Sequence, residues 1–504
     1  MLDFTKLDRY RENNRIEVKR ALGGLPNSIW ETYSAFANTF GGYILLGVIE
    51  KADKTFETVD LPDPDGLIRS FWDLVNNPKK VSVNLLSAKD VFVQTVNGNR
   101  IVVICVPRAD RTYRPVYIDG NPLNTYRRNG EGDYKCTKDE YQSMVRDASI
   151  KTQDMLVLEE MDFAVFNPES IRSYRQRMRL SRPGHVWEAL EDADFLQKIG
   201  AIGIGSDGLK HPTAAGLLMF GNEYEIVREY NNYFLDYQEQ NDADTRWTDR
   251  IISSSGDWSG NVYDFFFRVY NRIQQDIKVP FKMDGILRVD DTPVHQALRE
   301  ALANCLVNAD YYGRRGLVII KRKDCLILSN PGNFRIEIDA AKSGGVSDPR
   351  NAAMLKMFNF IDIGERAGSG IPNIFRVWKE QGWALPTISE SLDPDRITMI
   401  LPTQREKNEK IAGEKLQAIK ASDKPQAIKT SDKPQAIKTS DKTSWVNASI
   451  IEYLTDHPSA KTSDIAVYVG LSNSRLRVYL NALVQKEVLV LEGKNRNRTY
   501  RLKS

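Results

Sequence analysis

Ser34-Ala-Phe-Ala-Asn38-Thr-Phe-Gly41-Gly42-Tyr-Ile-Leu-Leu-Gly47-Val48-Ile-Glu50 packs a helix, its stop and a buried strand into one short stretch. Upstream, Ile29, Tyr33, Phe36, Ala37 and Phe40 fall at helical spacing, which predicts a helix over 28–40. Gly41-Gly42 ends it. Tyr43 to Val48 then reads as a buried strand. A hairpin follows, Val91 to Val96 and Ile101 to Val106, joined through Asn97-Gly98, the strongest short-range turn signal between β-rich runs.

Working outward, the chain has 504 residues, enough for roughly three or four domains. Hydrophobic residues make up 41% and charged residues 27%, which excludes wholesale disorder. The longest aliphatic run, Tyr43 to Ile49, falls far short of the ~20 residues of a membrane span. Met1 to Tyr10 has no apolar leader core. Cys105, Cys136, Cys305 and Cys325 are scattered, with no Cys-x-x-Cys, so neither a disulfide framework nor a structural zinc site is expected. These features point to the cytoplasm and away from a membrane.

The net charge of +3 conceals an asymmetry: residues 405–444 sum to +4, residues 445–504 to +4, and the body to −5. A basic tail on an acidic body suits a polyanion partner. The boundary is marked by a nine-residue repeat, Gln417 to Pro425, recurring from Gln426 and Gln435. One Ile per repeat and a Pro at each junction cannot build a core, so 405–444 reads as a flexible linker. The expected organisation is α+β and multidomain. It comprises a first domain over 1–150, a mixed connecting domain over 151–290, a third module over 291–404, the linker, and a terminal domain over 445–504.

Three groups of residues carry chemistry. The first is Glu12-Asn-Asn-Arg-Ile-Glu17-Val-Lys19, in which Glu17 and Lys19 share one face of a short strand. Followed by Ala35-Phe-Ala-Asn-Thr-x-Gly41-Gly42 and an aliphatic strand ending Gly47-Val48, it resembles the AlbA-like domain of Schlafen proteins and many bacterial regulators. Arg114-Pro-Val-Tyr-Ile-x-Gly120 and Tyr126-Arg127-Arg128-x-Gly130 extend the likeness over roughly 5–150. In nucleolytic Schlafens three carboxylates hold a divalent metal, and the resemblance puts them at Glu12, Glu17 and Glu50, with Glu50 in place of the usual Asp. Hard oxygens suit Mg²⁺ or Mn²⁺, and such an ion could activate water against the phosphodiester of a structured RNA. Two other readings stand beside this one. The domain could bind nucleic acid without cutting it, through Lys19, Arg111, Arg114, Arg127 and Arg128, or Glu17 could simply pair with Lys19 or Arg15.

The second group is a helix over 295–310, on which Glu300, Asn304 and Asn308 recur every four residues. A carboxylate can orient or deprotonate water and an amide oxygen can bind Mg²⁺, although an amphipathic helix with a polar stripe fits the same spacing. A strand pair, 316–321 and 325–329, follows it. Then come Asn330-Pro-Gly332, Asp348-Pro-Arg-Asn351 and Gly364 to Ile371, with Gly368 and Gly370 before a helix over 372–381. In this order the segments resemble a GHKL-type ATPase-like α/β sandwich. The resemblance makes Glu300 the general base and Asn304 the Mg²⁺ ligand. It sets Asn330 where authentic ATPases place an Asp, and it puts Gly332, Gly368 and Gly370 around ATP. An amide at position 330 can accept a hydrogen bond but lacks the charge.

The third group is residues 445–504. Helices over 446–454, 465–469 and 473–485 precede two strands, 488–491 and 499–502. The segment resembles a winged helix-turn-helix, which implies DNA contacts from Arg475 and Arg477 on a recognition helix and from Lys494, Arg496 and Arg498 in a basic wing. Taken together, the sequence leads to a nucleic-acid-binding, nucleotide-responsive transcriptional regulator, expected to oligomerise with itself. The alternative is a divalent-metal RNase with a defence or toxin role.

Overall fold

A computed structural model of the chain describes residues 3–4, 7, 10–240, 247–275, 282–284, 287–289, 292–364, 368–392 and 394–404. In the C-terminal part it describes 450–451, 453–454, 457, 459–462, 465–466, 473–485, 488–492 and 499–503. The chain divides into two compact units, Met1–Asn408 and Glu409–Ser504. The linker expected over 405–444 lies outside the described residues.

The first domain is built on the opening stretch. β1 (Ile16–Lys19) pairs in parallel with β2 (Gly42–Leu46), with Glu17 opposite Ile44 and Lys19 opposite Leu46. Between them runs α1 (Ile29–Asn38). Gly41 adopts a φ of +68°, and a Cβ there would lie 2.8 Å from the backbone of Val106 and of Arg108. The helix can therefore stop and turn into the strand only at a glycine. β3 (Val48–Glu50) pairs with β4 (Phe56–Thr58), and α2 (Pro64–Val75) follows. β5 (Val91–Val96) and β6 (Asn99–Val106) form the expected hairpin, Asn97 and Gly98 both taking positive φ, as a tight primed turn demands. The sheet order is β1-β2-β6-β5. β7 (Tyr126–Asn129) pairs with β8 (Gly132–Lys135), and α3 (Lys138–Ala148) starts in a capping box between Thr137 and Glu140.

Buried polar groups on α1 hold this domain together. Asn38 donates to the carbonyls of Val116 (2.8 Å) and Tyr126 (3.0 Å) and accepts from the Val116 N–H (2.8 Å). Ser34 donates to the Val116 carbonyl and accepts from the Tyr126 N–H. The Asn of the opening stretch thus fastens the segment that carries Arg127 and Arg128.

Next come α4 (Pro168–Ser181), α5 (Asp192–Ile199), a ribbon of β9 (Ile202–Ile204) with β10 (Lys210–Pro212), α6 (Ala214–Phe220) and α7 (Glu223–Glu229). The remaining strands are β11 (Leu235–Gln240), β12 (Asp249–Ile252), a ribbon of β13 (Lys282–Asp284) with β14 (Leu287–Val289), β15 (Leu317–Arg322), β16 (Cys325–Pro331), β17 (Thr387–Leu392) and β18 (Asp395–Pro402). The helices among them are α8 (Val262–Gln275), α9 (Pro293–Val307), α10 (Ile338–Ser343), α11 (Ala352–Phe360) and α12 (Gly370–Glu380). Six strands form one sheet, β12-β11-β15-β16-β18-β17.

This sheet crosses the boundary drawn at residue 290. β11 pairs in parallel with β15, and one continuous core runs from Leu158 to Leu401. The connecting domain and the third module share a sheet and a core.

In the C-terminal unit, β19 (Ala460–Lys461), α13 (Asn473–Gln485), β20 (Leu489–Glu492) and β21 (Thr499–Leu502) are described. The sheet order is β19-β21-β20, around a core that includes Ile450, Leu454, Ile465, Leu476, Leu480 and Tyr500. Among the described residues no helix is long and apolar enough to cross a membrane.

Candidate functional site

The structure sets the three N-terminal carboxylates near one another. Burial pushes the Glu12 carboxyl upward, and the negative charges of Glu17 and Glu50 add to the shift. Each carboxylate already has a partner. Glu12 Oε1 accepts from the Val18 N–H (3.1 Å) and Glu50 Oε2 pairs with Lys54 (3.0 Å). Glu17 is used on both sides, Oε1 by Lys19 (2.9 Å) and Oε2 by Arg128 (2.9 Å). Glu50 Oε1 is buried and accepts no hydrogen bond. Among the described residues no three acidic, His or Cys side chains are disposed to hold a metal ion. With Lys19 and Arg128 on Glu17, this arrangement does not fit a three-carboxylate metal centre.

The arginines expected to meet phosphate are instead parts of the fold. Arg128 is 1% exposed and binds Glu17, Asp133 and the carbonyls of Asn13 and Ile16. Arg127 pairs with Glu140 at 2.8 Å. Arg114 is buried, and desolvation together with the nearby Arg108 brings its pKa down to about 10. Arg111 pairs with Asp348. Burial removes Arg114 and Arg128 from any nucleic acid. The exposed cations bracketing β1 are Arg15, weighed in the sequence only as a partner for Glu17, and Arg20, which was not singled out. A charge pattern does not tell an inward arginine from an outward one.

The second group converges on one cavity of about 120 Å³. Glu300, Asn304 and Asn308 of α9, Asn330 of β16, and Gly368 and Gly370 at the start of α12 all line it. Leu328, Ile388, Ile397 and Met399 supply an apolar wall. Asn304 Nδ2 donates to Glu300 Oε1 at 3.0 Å, so its amide orientation is fixed by the carboxylate one turn earlier. A Cβ on Gly370 would lie 1.9 Å from Glu300 Oε1, so a larger residue there would displace the Glu300 side chain. Gly332 does not line the cavity. Its φ is +102°, and a Cβ there would press on the Arg350 guanidinium. Asn330 Nδ2 donates to the Pro331 carbonyl at 3.3 Å.

Asn333, Arg335, Asp348 and Arg350 line the polar end of this cavity; the sequence reading singled out the Asp348–Asn351 segment without giving it a role and did not single out Asn333 or Arg335. Arg350 donates to Asp147 Oδ1 (2.5 Å) and to the Asn333 carbonyl (2.9 Å). Arg335 donates to the carbonyls of Pro349 (2.9 Å) and Asp147 (3.3 Å). The cavity wall is therefore tied to the first domain.

In the C-terminal unit Arg477 is exposed on α13. The side chain of Arg475, and Lys494, Arg496 and Arg498, lie outside the described residues.

Residues 12–137 match the family "Schlafen, AlbA_2". The chain carries a Schlafen AlbA_2 domain. Residues 318–401, most of the six-stranded sheet and the cavity wall, match "Putative ATP-dependent DNA helicase recG C-terminal", an HATPase-like domain. Residues 142–236 match a domain of unknown function, and residues 446–491 match "FaeA-like protein". Two solved structures are similar. One is the DIP2311 protein from Corynebacterium diphtheriae, at 17% identity, covering 97% of this chain and 95% of that one, with a TM-score of 0.39. The other is the N-terminal domain of a "Putative ATP-dependent DNA Helicase RecG-related Protein" from Nitrosomonas europaea. It is 34% identical, covers 27% of this chain and 95% of that one, and has a TM-score of 0.22. No curated protein matches the chain.

Proposed function

We propose that this protein is a nucleotide-responsive, nucleic-acid-binding regulator. The observation that carries the reading is the convergence of Glu300, Asn304, Asn330, Gly368 and Gly370 on one cavity whose far wall is bonded, through Asp348, to Arg111 of the Schlafen domain. Glu300 and Asn304 offer the carboxylate and amide that a Mg²⁺–nucleotide would use, and the apolar wall suits a base. In the C-terminal unit, a helix followed by a two-stranded hairpin on a three-stranded sheet supports a winged helix-turn-helix that reads duplex DNA, with Arg477 on its outer face. The helicase names attached to the recG C-terminal family and to the Nitrosomonas europaea relative agree with a nucleic-acid partner.

Titration calorimetry of the full chain with ATP or ADP and Mg²⁺ tests the first half. The cavity reading expects saturable heat, and Glu300→Ala should abolish any turnover while leaving ADP binding. No heat at millimolar nucleotide returns the cavity to a packing defect. Duplex binding by the full chain should fall steeply with salt, as it does when Lys and Arg displace counterions. Arg475→Ala with Arg477→Ala should weaken it. Unchanged binding by that double variant would remove the terminal unit from DNA recognition.

A further inference from the structure

Arg335 and Arg350 are respectively 9% and 8% exposed, both line the cavity, and each has a buried Nε with no acceptor. Asn333 Oδ1, on the same wall, is also buried and unpaired. Buried donors without acceptors are costly, so two open guanidinium N–H groups on one wall call for a partner from outside the chain, a bound anion or ordered water. Burial, reinforced by the positive charges of Arg111 and Arg350, lowers Arg335 to about 10, so its surroundings do not fully compensate the cation. Asp348 Oδ2 stands 3.6 Å from Arg335 Nε and is also engaged by Arg111.

The arginine wall adjoins the glycine loop. A Cβ on Gly368 would lie 2.6–2.9 Å from the backbone of Val346, two residues before Asp348. An anion placed at Gly368 would thus have the Asp348–Arg350 segment beside it.

We infer that Arg335 and Arg350 form an anion subsite of the cavity that takes a phosphate group of its nucleotide, with Asp147 of α3 as the anion that occupies Arg350 in its absence. The inference rests on the nucleotide reading and adds to it the residues that read the phosphate. A phosphate can accept from a planar guanidinium with charge-assisted geometry, whereas adenosine carries no anion to do so. Asp147 Oδ1 now fills part of Arg350's capacity, and its carbonyl also holds Arg335 and Arg111. The ligand's phosphate would compete with that carboxylate.

Calorimetry of the full chain with ADP, adenosine and inorganic phosphate separates the cases. ADP should bind about tenfold or more tighter than adenosine, the worth of one or two charge-assisted hydrogen bonds. Arg335→Gln should collapse that ratio towards one without changing adenosine affinity, and Arg335→Lys, which keeps the charge, should recover part of it. Asp147→Asn should tighten ADP by about threefold to tenfold, because it neutralises the competing anion. A merely structural role for Asp147 predicts the opposite sign. An unchanged ADP-to-adenosine ratio in Arg335→Gln overturns the subsite and leaves the nucleotide reading standing. Binding of phosphate with no binding of ADP or adenosine supports the subsite and overturns the nucleotide. No binding of any of the three overturns both.

Discussion

A single arginine shows how far composition misleads about partners. Arg128 sits in a basic Tyr-Arg-Arg run, yet its guanidinium is sealed between Glu17 and Asp133 and stacks over Phe36 at 5.2 Å. Removing it takes the buried cation from both Glu17 and Asp133, leaving Glu17 to Lys19 and Asp133 to the Thr32 hydroxyl. Arg128→Ala should destabilise the protein by about 3–5 kcal/mol, the range for breaking a buried ion pair on one side. The measurement is a thermal or denaturant midpoint, and a variant as stable as the parent would return Arg128 to the surface. Asn38 teaches the same lesson in reverse. The sequence places it on the correct helix, but its role appears only once Val116 and Tyr126, distant in sequence, arrive to bond with it. Residue types and spacing reveal local geometry, whereas the partners of a polar side chain depend on the assembled fold.

Elements were legible wherever apolar periodicity and turn chemistry agreed. α1, the β5–β6 hairpin, α9, α12 and α13 all lie within a few residues of their expected spans. β11 was not foreseen, and the reason is physical. Leu-Asp-Tyr-Gln-Glu-Gln looks half polar, but Asp236 is buried and paired bidentately with Arg250 on β12, both contacts at 2.9 Å. A buried salt bridge disguised a central strand as a surface one.

The start of β18 carries a pH dependence of its own. Asp395 is pushed up to about 7, first by burial and then by Glu140 of α3 and by Asp310, against the opposing pull of Arg127 and Arg350. An acid whose folded-state pKa exceeds its unfolded value stabilises the fold as the neutral form. That contribution is full below the unfolded value of 3.8 and is lost as the pH rises to about 7. Stability should therefore fall across that window by on the order of 2–4 kcal/mol from this group. Asp395→Asn should flatten the fall and raise the unfolding midpoint at pH 8 more than at pH 4. An equal gain at both would show that Asp395 is ionised throughout.

At the scale of the whole first unit, the Schlafen domain and the HATPase-like sheet meet through charges. Arg108 grips Glu390 of β17 through two hydrogen bonds, at 2.7 and 2.8 Å, with both side chains nearly inaccessible. Arg111 holds Asp348, and from α3, just beyond the Schlafen match, Arg146 reaches Asp310 and Asp147 holds Arg350. Two of these partners, Asp348 and Arg350, are also cavity wall. A ligand that repositions them must work against the contacts that seat the Schlafen domain, so its binding free energy depends on how that domain is placed. Linkage then requires that a nucleic acid bound to the Schlafen domain change ADP affinity by the same factor by which ADP changes nucleic-acid affinity. Couplings of this kind typically amount to about 5–150-fold. The factor should be measured both ways on the full chain with a structured RNA, by calorimetry for ADP and by anisotropy for the RNA. Glu390→Gln, which weakens the pairing with Arg108, should shrink it towards one. Two unequal factors would signal an unaccounted third species. A factor of one in the parent protein would mean that these buried ion pairs hold the two parts together without passing anything between them.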